Sequence, residues 1–475
     1  MPRRKDIKKV LIVGSGPIII GQACEFDYSG TQACKAFKEE GFEVILVNSN
    51  PATIMTDPGM ADKTYIEPLT VESLTTIIEK ERPDGILPNL GGQTALNLCS
   101  SLHKQGILKK YGVEIIGVKA DAIERGEDRI EFKKTMNKLG IPMADSDPSH
   151  SVEEAEAIAE KLGYPVVLRP AYTMGGTGGG IAYNVEELRT IVTRGLAVSL
   201  VRQVLVEESV FGWEELELEV VRDDKNQKIT VCFIENIDAM GVHTGDSFCA
   251  APMLTVPEAL QKRMQDYSYK IVEAIGVIGG TNIQFAHNLE DDRLVVIEIN
   301  PRTSRSSALA SKATGFPIAR ISSKLAAGLN MDEIPYWRDG TLEKYTPWGE
   351  YVVIKFARWA FEKFPQATDI LGTQMKAVGE VMSIAKTFNE SFQKSIRSLE
   401  IKRFGVGGAR NFKELSLDEI KQKIANPSSE RIFLLYEAIR QGMGVEELYQ
   451  ITFIGRWFIE QIKILVDFEE ELLAT

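Results

Sequence analysis

Four short apolar runs constrain the first part of this 475-residue chain more than any other feature: KVLIV (9–13), EVILVN (43–48), DGILP (84–88) and VEIIGV (113–118). Helical stretches separate them, at QACKAFKEEG (32–41), VESLTTIIEKERP (71–83) and residues 94–110. Strands that alternate with helices pair in parallel, because each connection crosses one face of the sheet before the next strand is laid down. The pattern predicts a doubly wound α/β domain over residues 1–127. Its first glycine turn, GSGPIIIG (14–21), has Ile19 where a dinucleotide fingerprint needs a third glycine, which disfavours a nicotinamide site.

After residue 128 the texture changes. A loosely amphipathic helix (128–142) is followed by strand-like runs: QVLVEES (203–209), ELELEVVRD (215–223), KITVCFIENID (228–238), FCAAPML (248–254), NIQFAHN (282–288) and RLVVIEIN (293–300). Strands in such close succession predict a largely antiparallel α+β unit over 128–400, closed by helices at 306–315 and 318–329 and a further strand at 351–356. Beyond residue 400 the runs ERIFLLYEAIRQGMG (430–444) and RWFIEQIKILVDFEEELL (456–473) predict a separate helical unit over 401–475.

A formal charge of −12 disfavours nucleic acid as a partner while leaving room for a local anion pocket. Five cysteines without a CxxC pair point to reduced thiols in a cytoplasmic enzyme, and four scattered histidines argue against a His/Cys zinc site. No apolar run approaches the ~18 residues of a membrane span.

Three segments carry chemistry. RPAYTMGGTGGG (169–180) is entered from a strand, YPVVLR (164–169), and left through GIAYN (180–184). Its glycines let main-chain N–H groups approach an anion while Arg169 adds a forked cation, and the absence of a GK[ST] ending predicts a flap between strands rather than a helix N-terminus. In FGWEELELEV (211–220), Glu215, Glu217 and Glu219 share one strand face and Leu216, Leu218 and Val220 the other. A solvated edge and a ribose or cation site both fit those carboxylates; Glu208 likewise reads as surface charge or as a ribose acceptor. In VVIEINPRTSRSS (295–307), Glu298 and Asn300 lie on one face at a strand end, with Gln284 placed to reach them from a neighbouring strand. Hard oxygens in that arrangement suit Mg²⁺ between protein and phosphates, and Arg302 and Arg305 just beyond suit a small oxyanion.

These segments, with GPIIIGQACEFDYSGTQACKA (16–36), VNSNPATIMTDP (47–58), GGQTALN (91–97), ENIDAMGVHTGDS (235–247) and EINPRTSRSSALASKATGFPIA (298–319), resemble the N-terminal half of carbamoyl phosphate synthetase large subunits, which are ATP-grasp enzymes. The resemblance covers essentially the whole chain. It implies phosphorylation of bicarbonate by ATP to carboxyphosphate, then reaction with ammonia to give carbamate, in arginine and pyrimidine biosynthesis. It also implies ATP contacts at Arg129, Arg169, Gly175, Gly176, Glu208, Glu215, Gly241, Val242 and His243, together with Gln284 and Glu298. Mg²⁺ or Mn²⁺ falls to Gln284, Glu298 and Asn300, and K⁺ to Glu215, Asn236, Asp238 and Ser247. Catalytic roles fall to Arg302, Arg305, His243 and Asn300. Implied partners are a glutaminase small subunit and a second-half large-subunit chain, because this sequence lacks the second synthetase half and allosteric region usual in the family. A split subunit and a fragment both fit that departure. Another ATP-grasp carboxylate ligase, such as a biotin- or purine-pathway carboxylase, and a non-catalytic nucleotide-binding assembly subunit are the competing readings.

Overall fold

The four apolar runs and one further strand form the first sheet of the computed structural model, which describes residues 4–17, 25–170, 178–199, 202–338, 340–408 and 412–475. Its strands are β1 (Lys9–Val13), β2 (Glu43–Asn48), β3 (Lys63–Ile66), β4 (Gly85–Leu87) and β5 (Glu114–Ile115). All pair in parallel in the order β3-β2-β1-β4-β5, as the alternation of strands and helices predicts. Val10 and Ile12 enter one hydrophobic cluster and Leu11 and Val13 another, so helices cover both faces and the strand needs an unbroken apolar run. The helix expected over 94–110 divides at Gly106, whose φ of 72° ends Gly92–Lys104 and begins Ile107–Tyr111.

A small lobe follows. Its strands β6 (Ser146–Ser149), β7 (Val166–Pro170), β8 (Gly180–Ala182) and β9 (Val204–Glu208) pair antiparallel in the order β6-β9-β7-β8. Helices Val152–Leu162 and Val185–Val198 close over them through a core of their own, with Ala155, Val166, Leu188 and Val206 among its members.

The largest sheet uses β10 (Glu214–Arg222), β11 (Lys228–Asn236), β12 (Cys249–Ala251), β13 (Gly279–His287) and β14 (Leu294–Asn300). A short ribbon, β15 (Pro335–Tyr336) with β16 (Gly340–Thr341), precedes β17 (Val352–Arg358) and β18 (Gly379–Ala385), which complete it. The order is β14-β13-β10-β11-β12-β17-β18, antiparallel throughout. The position of β10, between β11 and β13, corrects one expectation. Its acidic face is no solvated edge: Glu215, Glu217 and Glu219 are buried, at 4%, 1% and 0% exposure.

The helices after residue 401, expected as a separate unit, share a hydrophobic cluster with Ala250 of β12 and Ile354 and Phe356 of β17. A buried ion pair joins Arg431, the first residue of helix Arg431–Arg440, to Asp238 just after β11. No helix among the described residues is long and apolar enough to cross a membrane. Arg431→Met strands the Asp238 carboxylate in this interior and is expected to cost about 3–5 kcal/mol, part of which Asp238→Asn in the same chain restores. Thermal melts of the single and double variants measure this, and a single variant as stable as the parent would show the pair to be energetically idle.

Candidate functional site

A cavity of about 690 Å³ opens between the small lobe and the loops at 209–211, 240–241 and 373–374 that flank the seven-stranded sheet, within the size range of nucleotide and cofactor pockets. Arg129, Arg169, Gly180, Phe211 and Gly241 are among its lining residues. Arg129 is the first residue of helix Arg129–Leu139, where Asp128 caps the chain by accepting from the N–H groups of Ile130 and Glu131 at 2.9 and 3.0 Å. Arg169 comes from β7. Gly175 and Gly176 lie outside the described residues. Gly241, with φ of 122°, sits so close to the Phe211 ring that a Cβ would meet it at 2.6 Å; Val242 turns its side chain into the hydrophobic core.

Between the two arginines stands a residue that the sequence reading passed over. Glu207 on β9, 5% exposed, accepts from Nε of Arg129 at 2.9 Å and from Nε of Arg169 at 3.3 Å. Burial alone would raise its pKa; the two guanidiniums outweigh burial and hold the carboxyl below its ordinary value. Two cations facing one cleft repel each other, and that need for a shared counter-charge is the signal available in VLVEES. Glu208, next along the strand, is gripped by Arg293, Nη1 to Oε1 at 2.7 Å and Nη2 to Oε2 at 3.0 Å.

On the large sheet the expected ligand set converges. Gln284 of β13 lies opposite Glu298 of β14, and Asn282 opposite Asn300. The Glu298 side chain is exposed, and the Asn300 amide reaches its Oε1 at 3.3 Å. A carboxylate and two amide oxygens at a solvent-facing strand end are hard donors of the kind Mg²⁺ takes, so the residues present fit such an ion. Arg302 adjoins them, donating from Nη2 to Oδ1 of Asn300 at 2.8 Å and from Nε to Gln93 at 3.2 Å; Gln93 in turn donates to Glu127 at 2.9 Å. Arg305 pairs with the buried Glu25 at 3.1 Å. His243 accepts from the N–H of Gly245 through Nδ1 at 2.9 Å, and burial holds its pKa below the ordinary imidazole value. The neutral ring therefore carries its proton on Nε2.

Beneath lies the acidic face of β10. Glu219 accepts from Ser307 Oγ at 2.9 Å and Asn282 Nδ2 at 3.0 Å, yet burial pushes its pKa up to about 8. Glu217 accepts from Asn236, Asn282, Thr244 and Ser306. Glu215 keeps a buried Oε2 with no hydrogen-bond partner; burial, reinforced by Glu217, raises its pKa well above the ordinary value, and Lys355 of β17 opposes that rise. An orphaned carboxylate oxygen fits a cation. Of the other residues expected around K⁺, Asn236 donates to Glu217, Asp238 is committed to Arg431 and the Phe248 N–H, and Ser247 Oγ donates to the Phe248 carbonyl. No cluster of three or more His, Cys, Asp or Glu suited to a metal occurs among the described residues.

A parallel-sheet domain, a small lobe over a nucleotide-sized cleft and an antiparallel sheet bearing oxygen ligands define the ATP-grasp architecture. Solved structures share it: the biotin carboxylase of Campylobacter jejuni in complex with an ATP analogue has a TM-score of 0.62 at 16% identity, over 94% of this chain and 99% of that one. The biotin carboxylase domain of a Hydrogenobacter thermophilus 2-oxoglutarate carboxylase, solved with MgADP and bicarbonate, has a TM-score of 0.63 at 20% identity, over 83% and 90%. Family profiles place this chain more narrowly. Residues 6–125 match the carbamoyl phosphate synthase preATP-grasp domain, 128–334 the carbamoyl-phosphate synthase L chain ATP binding domain, and 380–475 the carbamoyl-phosphate synthetase large chain oligomerisation domain. The chain is 55% identical to a Methanopyrus kandleri carbamoyl phosphate synthase large chain, N-terminal section, over 98% of its length and 83% of that section. It is 56% identical to the Archaeoglobus fulgidus large chain, over 99% of its length but 44% of that protein. It belongs to the carbamoyl phosphate synthase large-chain family.

Glu207→Gln keeps the shape of the bridge between Arg129 and Arg169 and removes its charge. On the expectation that both guanidiniums meet the phosphates of ATP, it should lower kcat/KM for ATP by about 10–100-fold. Steady-state kinetics with varied ATP read this, and Glu207→Asp should recover part of the loss.

Proposed function

We propose that this chain phosphorylates bicarbonate with ATP and passes the product to ammonia. A bicarbonate oxygen attacks the γ-phosphorus and ADP leaves; the ammonia nitrogen then attacks the carboxyl carbon of carboxyphosphate, phosphate leaves, and carbamate remains. The observation that carries the reading is the cross-strand convergence of Gln284, Glu298 and Asn300 beside Arg302.

In this reading Gln284, Glu298 and Asn300 hold Mg²⁺ or Mn²⁺, which when bound supplies charge neutralisation at the transferred phosphoryl group. Arg129 and Arg169, paired by Glu207, draw the phosphates into the cleft that Gly241 lines, Glu208 accepts from the ribose, and the resemblance adds nucleotide contacts at Gly175, Gly176 and Val242. Arg302 and Arg305 hold the planar oxyanion through forked guanidiniums. His243, neutral with a proton on Nε2, donates a hydrogen bond toward charge that develops on the acceptor. Glu215, with its unpartnered oxygen, takes K⁺ together with Asn236, Asp238 and Ser247. Thiols at Cys34, Cys99, Cys232 and Cys249, all free and buried, support a reducing compartment. Relatives named as whole large chains are more than twice as long as the matched region, and one relative is named an N-terminal section, so a second-half chain and an ammonia-supplying glutaminase complete the proposed assembly.

ATP hydrolysis is expected to rise when bicarbonate is added with Mg²⁺, and carbamate to form when ammonia is also present. Glu298→Gln should lose the bicarbonate-dependent turnover by about 100-fold or more. A rate indifferent to bicarbonate would overturn the reading and favour a ligase for another carboxylate.

A further inference from the structure

His287 closes β13 with both ring nitrogens against carboxylates: Nδ1 lies 2.7 Å from Glu214 Oε2 and Nε2 lies 2.9 Å from Asp292 Oδ1. Ionised carboxylates only accept, so both contacts are hydrogen bonds at once only when the ring carries two protons. Burial opposes that charge, but the bonds to Glu214 and Asp292 outweigh it and raise the ring's pKa above its ordinary value. The charged groups around the ring are Glu214 from β10, Asp292 from the β13–β14 turn, Arg263 from helix Glu258–Ile275, which binds Asp292 at 2.9 Å, and Glu235 of β11, whose charge acts on Glu214.

The turn connects this clamp to Glu208, which immediately precedes Ser209 and Val210 of the cavity lining. Asp292 adopts a left-handed backbone with φ of 57°, and main-chain bonds from Asp292 to Asn288 (3.0 Å) and from Asn288 to Arg293 (2.9 Å) close the turn around it. Arg293, the next residue, grips both oxygens of Glu208 and lies over the Trp213 ring, 5.2 Å from its centroid. The Asp145 N–H adds a third bond to Glu208 at 3.2 Å, leaving the carboxylate oriented with acceptor capacity to spare.

We propose that His287, Asp292 and Arg293 form a relay of positioning residues for Glu208, so that nucleotide binding at the cleft is linked to a proton held on His287. The proposal rests on the nucleotide reading of that cleft. A ring whose pKa is raised on folding keeps both bonds below its unfolded value and loses one as pH rises through the folded value, so nucleotide affinity should fall over that interval above pH 6.5. By reciprocity, bound nucleotide must raise the His287 pKa.

The chain has four histidines, which suits NMR of histidine-labelled protein. Adding saturating Mg²⁺ and ADP is expected to move the His287 titration midpoint upward by about half a pH unit, matched by an approximately threefold fall in ADP affinity as the ring deprotonates. Calorimetric titrations should show the fall in the parent and not in His287→Asn. Arg293→Lys, which keeps the charge but not the fork, should bind ADP about tenfold more weakly and uncouple the two events, so that His287 titrates alike with and without ADP. An unmoved midpoint in the parent would overturn the relay, as would a folded His287→Asn with the parent's pH dependence. Absence of any saturable ADP binding would instead remove the nucleotide reading, and the relay with it.

Discussion

One irregularity in the sheet sets the chemistry of the cleft. Between β13 and β14 the register slips after Gln284, so that Gln284 faces Glu298 while Phe285 faces Val296. Side chains alternate along a strand, and without the slip Glu298 and Asn300 would point the same way as Leu294 and Val296, into the hydrophobic core. The extra residue turns them over. Ile299 takes the core side with Val296 and Phe285, and the two polar side chains turn to the opposite face, beside Gln284 and Asn282. A single inserted residue thus lets one continuous apolar strand end in an oxygen-rich site.

The same face demands compensation for Glu217 and Glu219. Taking carboxylates out of water costs several kcal/mol each unless hydrogen bonds replace hydration. Those bonds come from one short stretch: Ser304 caps helix Arg305–Thr314 in a reciprocal capping box with Ser307, and the hydroxyls of Ser304, Ser306 and Ser307 all reach the β10 acids. The positive end of that helix dipole also lies toward them. Burial still pushes the Glu219 pKa up to about 8, so its hydrogen-bond donors do not fully replace water. Arg302 precedes these serines and Arg305 stands between Ser304 and Ser306, so the stretch RTSRSS supplies both hydroxyl donors to the buried acids and two cations beside them.

The parallel sheet was legible because both its faces are covered and continuous apolar runs leave no competing strand pattern. The juxtaposition of Gln284, Glu298 and Asn300 was legible because two-residue spacing at a strand end fixes a shared face. What escaped was whatever depends on a partner far away in sequence. Glu207 looks like one acid in an acidic run, and only the approach of Arg129 and Arg169 gives it a role. Lys355, buried beneath Glu215, sits in a run that reads simply as a strand. The acidic face of β10 was ambiguous for the same reason: alternation reports which side chains share a face, and only sheet order decides whether that face meets water. β18 was missed because its exposed Ile384 and half-buried Gly379–Val381 stretch lack a clear period.

The loop that carries His243 is held by two anchors, one of which comes from the helical segment. The loop after β11, which carries His243, hangs from Asp246: its carboxylate accepts from the Trp359 indole at 3.1 Å and from the main-chain N–H groups of Lys376 and Ala377 at 2.8 and 2.6 Å. Asp238, at the loop's other end, is held by Arg431 from the helices, and Phe248, just beyond the loop, packs against Phe356 at 3.8 Å between ring centroids. A loop fixed at both ends keeps an imidazole in one orientation without spending binding energy on ordering it when a ligand arrives. The helices are therefore part of what makes the site rigid, because Arg431 secures the Asp238 end of the loop that carries His243.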